Sequence, residues 1–346
     1  MEQLRFAVLG TGFWSQFQVG AWREIEGVKL VALYNRTKSK AEDLAKRFGA
    51  PSVYDDAVEL FANEKLDFVD IITDVDTHYK FVEMAVDAGI KHIICQKPMA
   101  PDWSTAKKMV EICEKAGAAL YIHENYRWQA PVRRFKEMMD TGVIGKPFKA
   151  RVSFLSGFPV FDNQPFLKEL DHFIITDMGS HVFDVCRYLF GEASRLWCRT
   201  KSVNHGIQGE DLAVTLMEME NGIPLYVEMS YASIIEHDMF STVNILVEGD
   251  KGSITLGPGT SFEICTTTRS GTVMEKVEFP SYDWADPDYI VNHESGIHIN
   301  RNILHAIRDG ARAENTGMDN LETVRLVWAS YASAKEGKII EINQFK

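Results

Sequence analysis

The amino-acid sequence predicts a two-domain α/β protein, with a doubly wound parallel sheet in residues 1–124 and an α+β domain with a mostly antiparallel sheet in residues 125–346. Three observations predict this fold class. Strand-like and helix-like segments alternate from residue 4 to about residue 122, which is the pattern of βαβ units. A turn that contains two glycines joins the first strand to the first helix. Short alternating segments separated by glycines dominate residues 194–280, which is typical of an antiparallel sheet.

The length and composition limit the class of protein. A chain of 346 residues is long for one hydrophobic core and suits two domains. Its apolar content of 45% and charged content of 25% are ordinary for a soluble globular protein. The net charge of −12 argues against nucleic-acid binding, because that function normally requires a basic surface.

Compartment and metal content are indicated by the apolar runs and the cysteines. No uninterrupted apolar run is long enough to cross a bilayer, and the N-terminus enters a strand without a secretory leader. The five cysteines lie far apart and form no C-x-x-C pair, which suits reduced thiols better than disulfides or a zinc site. We therefore expect a cytoplasmic protein with no membrane partner and no metal.

The parallel sheet is predicted from apolar strands that are each followed by a helix-like segment. Gly49, Gly89 and Gly117 stand where three of these helices would end. In such a sheet ligands bind at the carboxyl ends of the strands, so the segments after each strand matter most. The predicted strands are Leu4–Leu9, Lys29–Tyr34, Phe68–Ile72, His92–Cys95 and Ala119–Ile122, and the predicted helices are Gln16–Glu24, Thr37–Phe48, a short helix capped by Asp55 that runs through Ala62, Thr77–Ala88 and Pro101–Ala116.

The first of these segments is Gly10-Thr11-Gly12-Phe13-Trp14-Ser15. A first glycine permits a tight turn, a second lets the backbone approach a pyrophosphate, and the following helix N-terminus supplies N–H groups. The segment therefore predicts a Rossmann-type dinucleotide site, in which Ser15 stands at the third small position. Two interpretations of Phe13 and Trp14 are equal: one of them packs near a nicotinamide ring, or they pack against the helix.

The segment after the second strand bears on the choice between NAD and NADP. The position where an acidic residue would hold the ribose diol of NAD is occupied by Asn35, about 25 residues after Gly10. An asparagine can bond a ribose hydroxyl without repelling a 2′-phosphate, and Arg36 can pair with that phosphate or stack on adenine. The alternative is that Asn-Arg-Thr only turns the chain and caps the next helix. We expect NAD or NADP as the cofactor.

Gln96-Lys97-Pro98 follows the strand that begins at His92. A lysine at the end of a parallel strand, followed by proline, faces the crevice at the strand ends. Its ammonium group can stabilise an alkoxide or orient a hydroxyl there during hydride transfer. The alternative is an ordinary solvated lysine, which is the usual state of this residue type. The position at the strand end favours the functional interpretation.

The second domain is predicted from a change of pattern after Pro131. A helix over 132–141 and a strand over 148–154 precede a helix that contains residues 176–184, and two helices close the chain at 297–308 and 320–336. Between them, the predicted strands are Arg195–Lys201, Leu212–Met219, Leu225–Tyr231, Val243–Glu248, Ser253–Leu256 and Phe262–Cys265.

Three chemically active side chains share one helix face in this domain. Asp177, His181 and Asp184 lie at i, i+4 and i+7. Asp177 can orient the imidazole of His181 and raise its basicity, which leaves the other nitrogen free to act on a substrate proton. The alternatives are an ordinary polar helix surface and a divalent metal site, and the second has no supporting His or Cys pattern.

The order of Gly10-x-Gly12, Gln96-Lys97-Pro98 and Asp177-x-Gly-x-His181-x-x-Asp184 resembles the glucose–fructose oxidoreductase/inositol dehydrogenase/MocA (Gfo/Idh/MocA) family over nearly the whole chain. The resemblance implies an N-terminal Rossmann domain, a C-terminal domain with a large open-faced sheet, and use of NAD or NADP. It also implies hydride transfer at a carbinol carbon of a sugar, sugar derivative or cyclitol. Gln96 departs from the usual Glu-Lys-Pro, and Thr73-Asp74-Val75 replaces the frequent Thr-Pro-Pro.

The resemblance implies roles for individual residues. Lys97 and His181 are expected to be the catalytic pair, with Asp177 as the partner of His181 and Asp184 as a nearby polar contributor. Cofactor contacts are expected from Gly10, Thr11, Gly12, Phe13, Trp14, Asn35, Arg36, Thr73, His78, Gln96, Lys97 and Asn125, and substrate contacts from Lys97, Tyr126, Arg127, Asp177, His181 and Asp184.

The expected function is that of an NAD(P)-dependent dehydrogenase in which His181 takes the hydroxyl proton and Lys97 stabilises the developing negative charge. Two alternatives stay open: a keto-sugar or carbonyl reductase that runs in the reverse direction, and a non-catalytic dinucleotide-binding sensor. The resemblance further implies a homodimer or homotetramer formed through the exposed sheet face, on which Leu216, Met229 and Tyr231 are candidate apolar residues.

Overall fold

The computed structural model describes residues 3–257 and 261–345, which form two compact units. The first unit contains the described residues up to Glu124 together with Ser281–Asp286 and Gly296–Val324. The second contains Asn125–Pro280, Pro287–Ser295 and the described residues from Arg325 onward. The change from the first unit to the second at residues 124/125 coincides with the predicted boundary, while later segments of the chain return to the first unit.

The later segments return to the first unit because the chain pairs with its last parallel strand. Tyr121 forms an antiparallel bridge with Thr316. The backbone N–H of Ile122 donates to the carbonyl oxygen of Asn315 at 2.9 Å. These contacts join residues that are far apart in sequence, so the periodicity of the hydrophobic residues does not predict them.

The first unit is built on six parallel strands in the order β3-β2-β1-β4-β5-β6. This is the strand order of the Rossmann fold, in which ligands bind where the order reverses between β1 and β4. The strand that the sequence did not predict, β3, has three half-buried residues and is too short to show a period. The strands are β1 (Leu4–Leu9), β2 (Val28–Tyr34), β3 (Ser52–Tyr54), β4 (Phe68–Ile71), β5 (His92–Gln96) and β6 (Ala119–His123).

The helices of this unit follow the strands as expected, with shifted starts. Asp56, and not Asp55, caps the short third helix, because its carboxylate accepts from the N–H groups of Val58 and Glu59. Asp102 caps the fifth helix, which therefore begins at Trp103 and not at Pro101. The helices are α1 (Ser15–Arg23), α2 (Lys38–Phe48), α3 (Ala57–Asn63), α4 (His78–Asp87) and α5 (Trp103–Ala116).

The second unit is built on nine strands in the order β14-β13-β12-β11-β7-β10-β9-β8-β15. Every adjacent pair is antiparallel except β7 and β10, which confirms a mostly antiparallel sheet. β14 and β15 were not predicted. The strands are β7 (Pro147–Leu155), β8 (Ala193–Lys201), β9 (Leu212–Met219), β10 (Pro224–Ser230), β11 (Asn244–Gly249), β12 (Gly252–Leu256), β13 (Glu263–Thr268), β14 (Gly271–Lys276) and β15 (Ile340–Glu341).

The helices of the second half differ from the sequence prediction at several places, and the short helix over Val160–Asn163 was not predicted. The segment before α8 is a π-helix over Ile175–Gly179, where a regular α-helix was predicted. The helix predicted at 297–308 begins seven residues earlier, at Ile290. The helices are α6 (Ala130–Asp140), α7 (Val160–Asn163), α8 (Ser180–Phe190), α9 (Ile290–Asp309) and α10 (Gly317–Glu336).

The two faces of the nine-stranded sheet differ in burial. Met229 is fully buried in the core, while Leu216, on the opposite alternation of the neighbouring strand β9, is 50% exposed. Tyr231 is a partly buried residue packed against the same core. Of the three candidates for an exposed face, only Leu216 therefore lies on it. Within the described residues, no helix combines the length and the apolar character that crossing a bilayer requires.

Candidate active site

The glycine loop of the first unit fits a dinucleotide. Gly10 has φ of +100°, and a Cβ there would lie 2.4 Å from the carbonyl oxygen of Ile72, so the position requires glycine. At Gly12 no described atom beyond the chain neighbours lies within 4 Å of a Cβ position, so the backbone faces open space. Helix α1 begins at Ser15, which places its N–H groups and positive dipole end at the loop.

The remaining residues of the loop pack on α1. The Ser15 hydroxyl donates to the Gly12 carbonyl oxygen at 2.6 Å, so the serine closes the turn on itself. The rings of Phe13 and Trp14 meet the ring of Phe17 edge-on, with centroid separations of 5.3 Å and 5.4 Å. Helix packing of the two aromatics is therefore present, and a nicotinamide contact stays a prediction.

Asn35 joins the glycine loop to the start of α2. Its Nδ2 donates to Thr11 Oγ1 at 2.8 Å, and its Oδ1 accepts from the Thr37 N–H at 2.9 Å. Of the alternative, the turn is formed, by Asn35 itself, but the N-terminus of α2 at Thr37 has no side-chain cap, and the Arg36 side chain is exposed. The position at the carboxyl end of β2 and the contact with Thr11 leave the ribose interpretation intact.

His78 links the loop after β4 to the turn after β5. Its ring is 1% exposed, with Nδ1 at 3.1 Å from the carbonyl oxygen of Pro98 and Nε2 at 3.0 Å from that of Thr73. Burial lowers the pKa of His78, against the neighbouring carbonyls, which raise it. The ring therefore holds two loops together at the strand ends, where a direct cofactor contact had been predicted.

Thr73 is itself fixed within the loop after β4. Its Oγ1 accepts a hydrogen bond from Thr77 Oγ1 at 2.8 Å. The loop is thus ordered by side-chain hydroxyls and by His78, although it lacks the prolines that were expected at residues 74 and 75.

Lys97 lies directly after β5 and is half-buried. Its backbone N–H donates to Gln96 Oε1 at 2.7 Å, and its peptide bond to Pro98 is cis. Gln96 Nε2 donates in turn to Gln18 Oε1 at 2.6 Å. The Gln96 side chain thus makes two internal contacts at the position where a contact with the cofactor was predicted.

Asp70, an acidic residue in the middle of β4, also contacts the Gln18 side chain. Asp70 is fully buried, and its carboxylate accepts from Gln18 Nε2 at 2.7 Å and from Trp22 Nε1 at 2.8 Å. Burial raises the pKa of Asp70 to about 7, against these two hydrogen bonds, which lower it. Neither Asp70 nor Gln18 was predicted from the sequence as part of the site, although a carboxylate inside an apolar parallel strand is visible in the sequence alone.

In the second unit, His181 lies in the first turn of α8 and is 5% exposed. Its ring stacks on that of Tyr126, with a centroid separation of 3.9 Å and an interplanar angle of 12°. The stacking holds the imidazole plane in one orientation, as a general base requires. His181 and Tyr126, both predicted to contact substrate, are thus in direct contact with each other.

Arg127 and Asp184 form a buried ion pair next to this stack. Arg127 Nε donates to Asp184 Oδ2 at 2.7 Å, and Nη2 donates to Oδ1 at 2.5 Å. The side chains of the two residues are 7% and 0% exposed. His181 and Asp184 therefore face the same short segment, Tyr126–Trp128, as their spacing predicted.

Asp177 lies in the π-helix and contacts a different element. Its Oδ2 accepts from the Tyr231 hydroxyl at 3.4 Å, at the end of β10. Burial, followed by the charge of Asp177, raises the pKa of Tyr231 well above 10, so the phenol stays a donor. Short π-helices recur at functional sites. The contact with Tyr231 was not predicted from the sequence, and the pairing of Asp177 with His181 stays a prediction.

Asn125 is the first residue of the second unit and is 3% exposed. Its Nδ2 donates to Ser295 Oγ at 2.7 Å. The described contacts therefore fix its side chain to α9, and its predicted contact with the cofactor is untested. Among the residues that the structure describes, no group of three His, Cys, Asp or Glu side chains could hold a metal ion.

The fold and the glycine loop define a dinucleotide-binding protein, and comparison with known proteins identifies its family. Two family models match the chain: an oxidoreductase family with an NAD-binding Rossmann fold, over residues 4–124, and the GFO/IDH/MocA C-terminal domain, over residues 132–255. The chain belongs to the Gfo/Idh/MocA family of oxidoreductases.

Individual relatives match over more than nine-tenths of their length. A D-apiose dehydrogenase of Paraburkholderia graminis is 37% identical over 346 residues, which cover 100% of this chain and 92% of that protein. A D-apiose dehydrogenase of Rhizobium rhizogenes is 37% identical over 342 residues, with coverage of 99% and 98%. The crystal structure of an oxidoreductase from Agrobacterium radiobacter in complex with NAD+, L-tartaric acid and magnesium is 37% identical, with a TM-score of 0.95 and 99% of both chains covered.

Family membership confirms the enzyme class. The chain is an NAD(P)-dependent dehydrogenase that acts on CH–OH groups, rather than a non-catalytic sensor, and its cofactor is a nicotinamide dinucleotide. The requirement for glycine at Gly10 and the open space at Gly12 agree with this cofactor.

Proposed function

We propose that the substrate is a sugar or a closely related polyol, and that hydride is transferred between NAD and one of its carbinol carbons. The observation that carries this proposal is the similarity, at 37% identity over 99–100% of this chain, to two D-apiose dehydrogenases. D-apiose is therefore the first substrate to test, and other sugars and the inositols follow.

The residues of both units have separate tasks in the proposed reaction. When bound, NAD+ supplies the hydride acceptor. His181, with its ring held by Tyr126, removes the hydroxyl proton, while the carbon-bound hydrogen leaves with its electron pair and the alcohol becomes a carbonyl. Lys97 stabilises the negative charge that develops on the oxygen. Asp177 orients the imidazole.

A substrate screen tests the proposed function. The purified chain is mixed with NAD+ or NADP+ and with D-apiose, other aldoses, sugar alcohols and inositols, and the absorbance of the reduced nicotinamide is followed. The reverse assay, with NADH or NADPH and keto-sugars, tests the carbonyl reductase alternative. We expect turnover with at least one sugar or polyol, and failure of all substrates in both directions would contradict the proposal.

Asn35→Asp should shift the cofactor preference toward NAD. The carboxylate can keep both contacts of Asn35, because it accepts from the Thr37 N–H and from a rotated Thr11 hydroxyl. It would repel a 2′-phosphate, so we expect the ratio of kcat/KM for NAD to that for NADP to rise by about tenfold or more.

A matched control separates this effect from net charge. Asn63, at the exposed end of α3, undergoes the same chemical change in Asn63→Asp. Its cofactor ratio should equal the wild-type ratio. An unchanged ratio of kcat/KM for NAD to that for NADP in Asn35→Asp would show that this loop does not contact the adenosine ribose.

We further propose that the enzyme forms a homodimer or homotetramer through the outer face of the nine-stranded sheet. Leu216 pairs with Trp197 on one side and with Tyr226 on the other, so three large side chains form a row across β8, β9 and β10. A continuous apolar row is typical of an interface. Light scattering should give two or four chains, and a monomer would contradict this proposal.

A further inference from the structure

A chain of three side chains runs beneath the turn that carries Lys97. It begins at Asp70 Oδ1, which accepts from Gln18 Nε2 at 2.7 Å, and continues from Gln18 Oε1 to Gln96 Nε2 at 2.6 Å. It ends where Gln96 Oε1 accepts from the Lys97 N–H at 2.7 Å. The three side chains are 0%, 2% and 8% exposed, so water has little access to them.

The two ends of this chain fix the direction of every hydrogen bond in it. An ionised carboxylate only accepts, and a backbone N–H only donates. Each amide between them must therefore present its NH₂ toward Asp70 and its oxygen toward Lys97. The opposite orientation of either glutamine would place two donors or two acceptors face to face inside the protein, which is costly at a buried site.

We propose that Asp70 is a positioning residue for Lys97: its carboxylate sets the direction of the Asp70–Gln18–Gln96 chain, and that direction gives the Lys97 backbone its hydrogen-bond acceptor. The inference rests on the proposed function in one respect, namely that Lys97 acts on the substrate. The hydrogen-bond direction itself does not depend on any activity.

Asp70→Asn tests the direction at one end with almost no change of shape. Trp22 Nε1 donates to one carboxylate oxygen, so the new amide at position 70 has to place its oxygen toward Trp22 and its NH₂ toward the NH₂ of Gln18. Gln18 and Gln96 must then both turn, and Gln96 presents its NH₂ to the Lys97 N–H. The Lys97 amide loses its acceptor.

Gln96→Glu tests the direction at the other end. A carboxylate at position 96 still accepts from the Lys97 N–H, but it faces the oxygen of Gln18. Asp70 and residue 96 contact opposite ends of the Gln18 amide, so Gln18 cannot donate to both carboxylates in its present position. One carboxylate is left without its donor.

The hydrogen bonds lost in each single variant should form again when the two substitutions are combined. In Asp70→Asn/Gln96→Glu, the new amide at position 70 donates to a reversed Gln18, and Gln18 donates to the new carboxylate at position 96. That carboxylate still accepts from the Lys97 N–H. All hydrogen bonds of the chain are restored with the opposite direction between residues 70 and 96. Cancellation of the two defects would show that residues 70 and 96 are coupled. Two independent structural roles would instead give defects that add in free energy.

The experiment compares the three variants with the wild-type enzyme at pH 8, where Asp70 is largely ionised because its pKa is about 7. Hydrogen exchange of the Lys97 amide is measured together with kcat and KM for the substrate found in the screen. We expect Asp70→Asn to exchange about tenfold faster at the Lys97 amide and to lose about tenfold in kcat, since an unmade buried hydrogen bond has effects of this size. Gln96→Glu keeps the acceptor of the Lys97 N–H, so it should lose about tenfold in kcat with little change in the exchange of that amide. The double variant should return to within about threefold of wild type in both measurements.

Asp67→Asn is the matched control, because it makes the same chemical change three residues away, at an exposed position outside the chain of hydrogen bonds. It should match the wild type in both measurements. A double variant whose loss of kcat is the product of the two single losses would overturn the proposal, and so would unchanged Lys97 exchange in Asp70→Asn.

Failure of the proposed function gives a different result. If the wild-type enzyme turns over no sugar or polyol, hydrogen exchange still decides the direction of the chain. If the exchange results are as expected while Lys97→Met keeps full turnover, the hydrogen-bond chain stands and the role of Lys97 in the proposed function does not.

Discussion

Lys97→Met should lower kcat by about 10²–10³-fold, which is the effect of removing one group that stabilises developing negative charge. Methionine keeps an unbranched side chain of similar length and removes the ammonium group. The Lys97 backbone N–H and its bond to Gln96 are unaffected by the substitution. The dissociation constant for NAD, measured by fluorescence titration, should therefore stay within about threefold of wild type.

Lys91→Met provides a matched control for the charge. Lys91 precedes β5, at the opposite end of the strand, and its exposed ammonium group donates to the Ala116 carbonyl oxygen. Its kcat should equal that of the wild-type enzyme. His181→Ala should also reduce kcat strongly, by the loss of the proposed base. Unchanged kcat in both Lys97→Met and His181→Ala would refute the proposed catalytic pair.

The positions of Gly10, Gly12 and Lys97 at the ends of strands were predicted from local pattern. Gly10 and Gly12 follow an apolar strand and precede a helix, and Lys97 follows another such strand, so a short window of residues contains the signal. The Rossmann order places both segments at the carboxyl edge of one sheet. Local pattern and a general rule of topology were sufficient there.

The parts that were missed depend on contacts between distant residues. Asp70 meets Gln18, which is 52 positions away, and Gln18 meets Gln96 across 78 positions. Asp177 meets Tyr231 across 54 positions. The partner in each case is set by strand order and register, which one sequence does not reveal.

The helix face of Asp177, His181 and Asp184 shows the limit of periodicity. The spacing correctly places His181 and Asp184 against one segment, because both lie in regular α-helix within α8. Asp177 lies in the π-helix, where the hydrogen bonds span one residue more than in an α-helix. A constant period therefore does not apply between Asp177 and the other two residues.

Asp184→Ala should destabilise the protein by about 3–5 kcal/mol, because it leaves the Arg127 guanidinium buried without its carboxylate. Arg127 loses both hydrogen bonds of the pair, and its side chain is only 7% exposed, so water cannot replace them fully. The free energy of unfolding, measured in urea, reports this loss directly.

Glu218→Ala is the matched control, because Arg195 binds Glu218 through Nε and Nη2 on the surface of the same unit. Both side chains of that pair are 47% exposed, so its removal should cost about 0–1 kcal/mol. Arg127→Met/Asp184→Ala removes the unpaired charge together with its partner and should recover about 2 kcal/mol or more of the loss. If Asp184→Ala costs no more than Glu218→Ala, the buried pair does not stabilise the unit to the degree that its burial predicts.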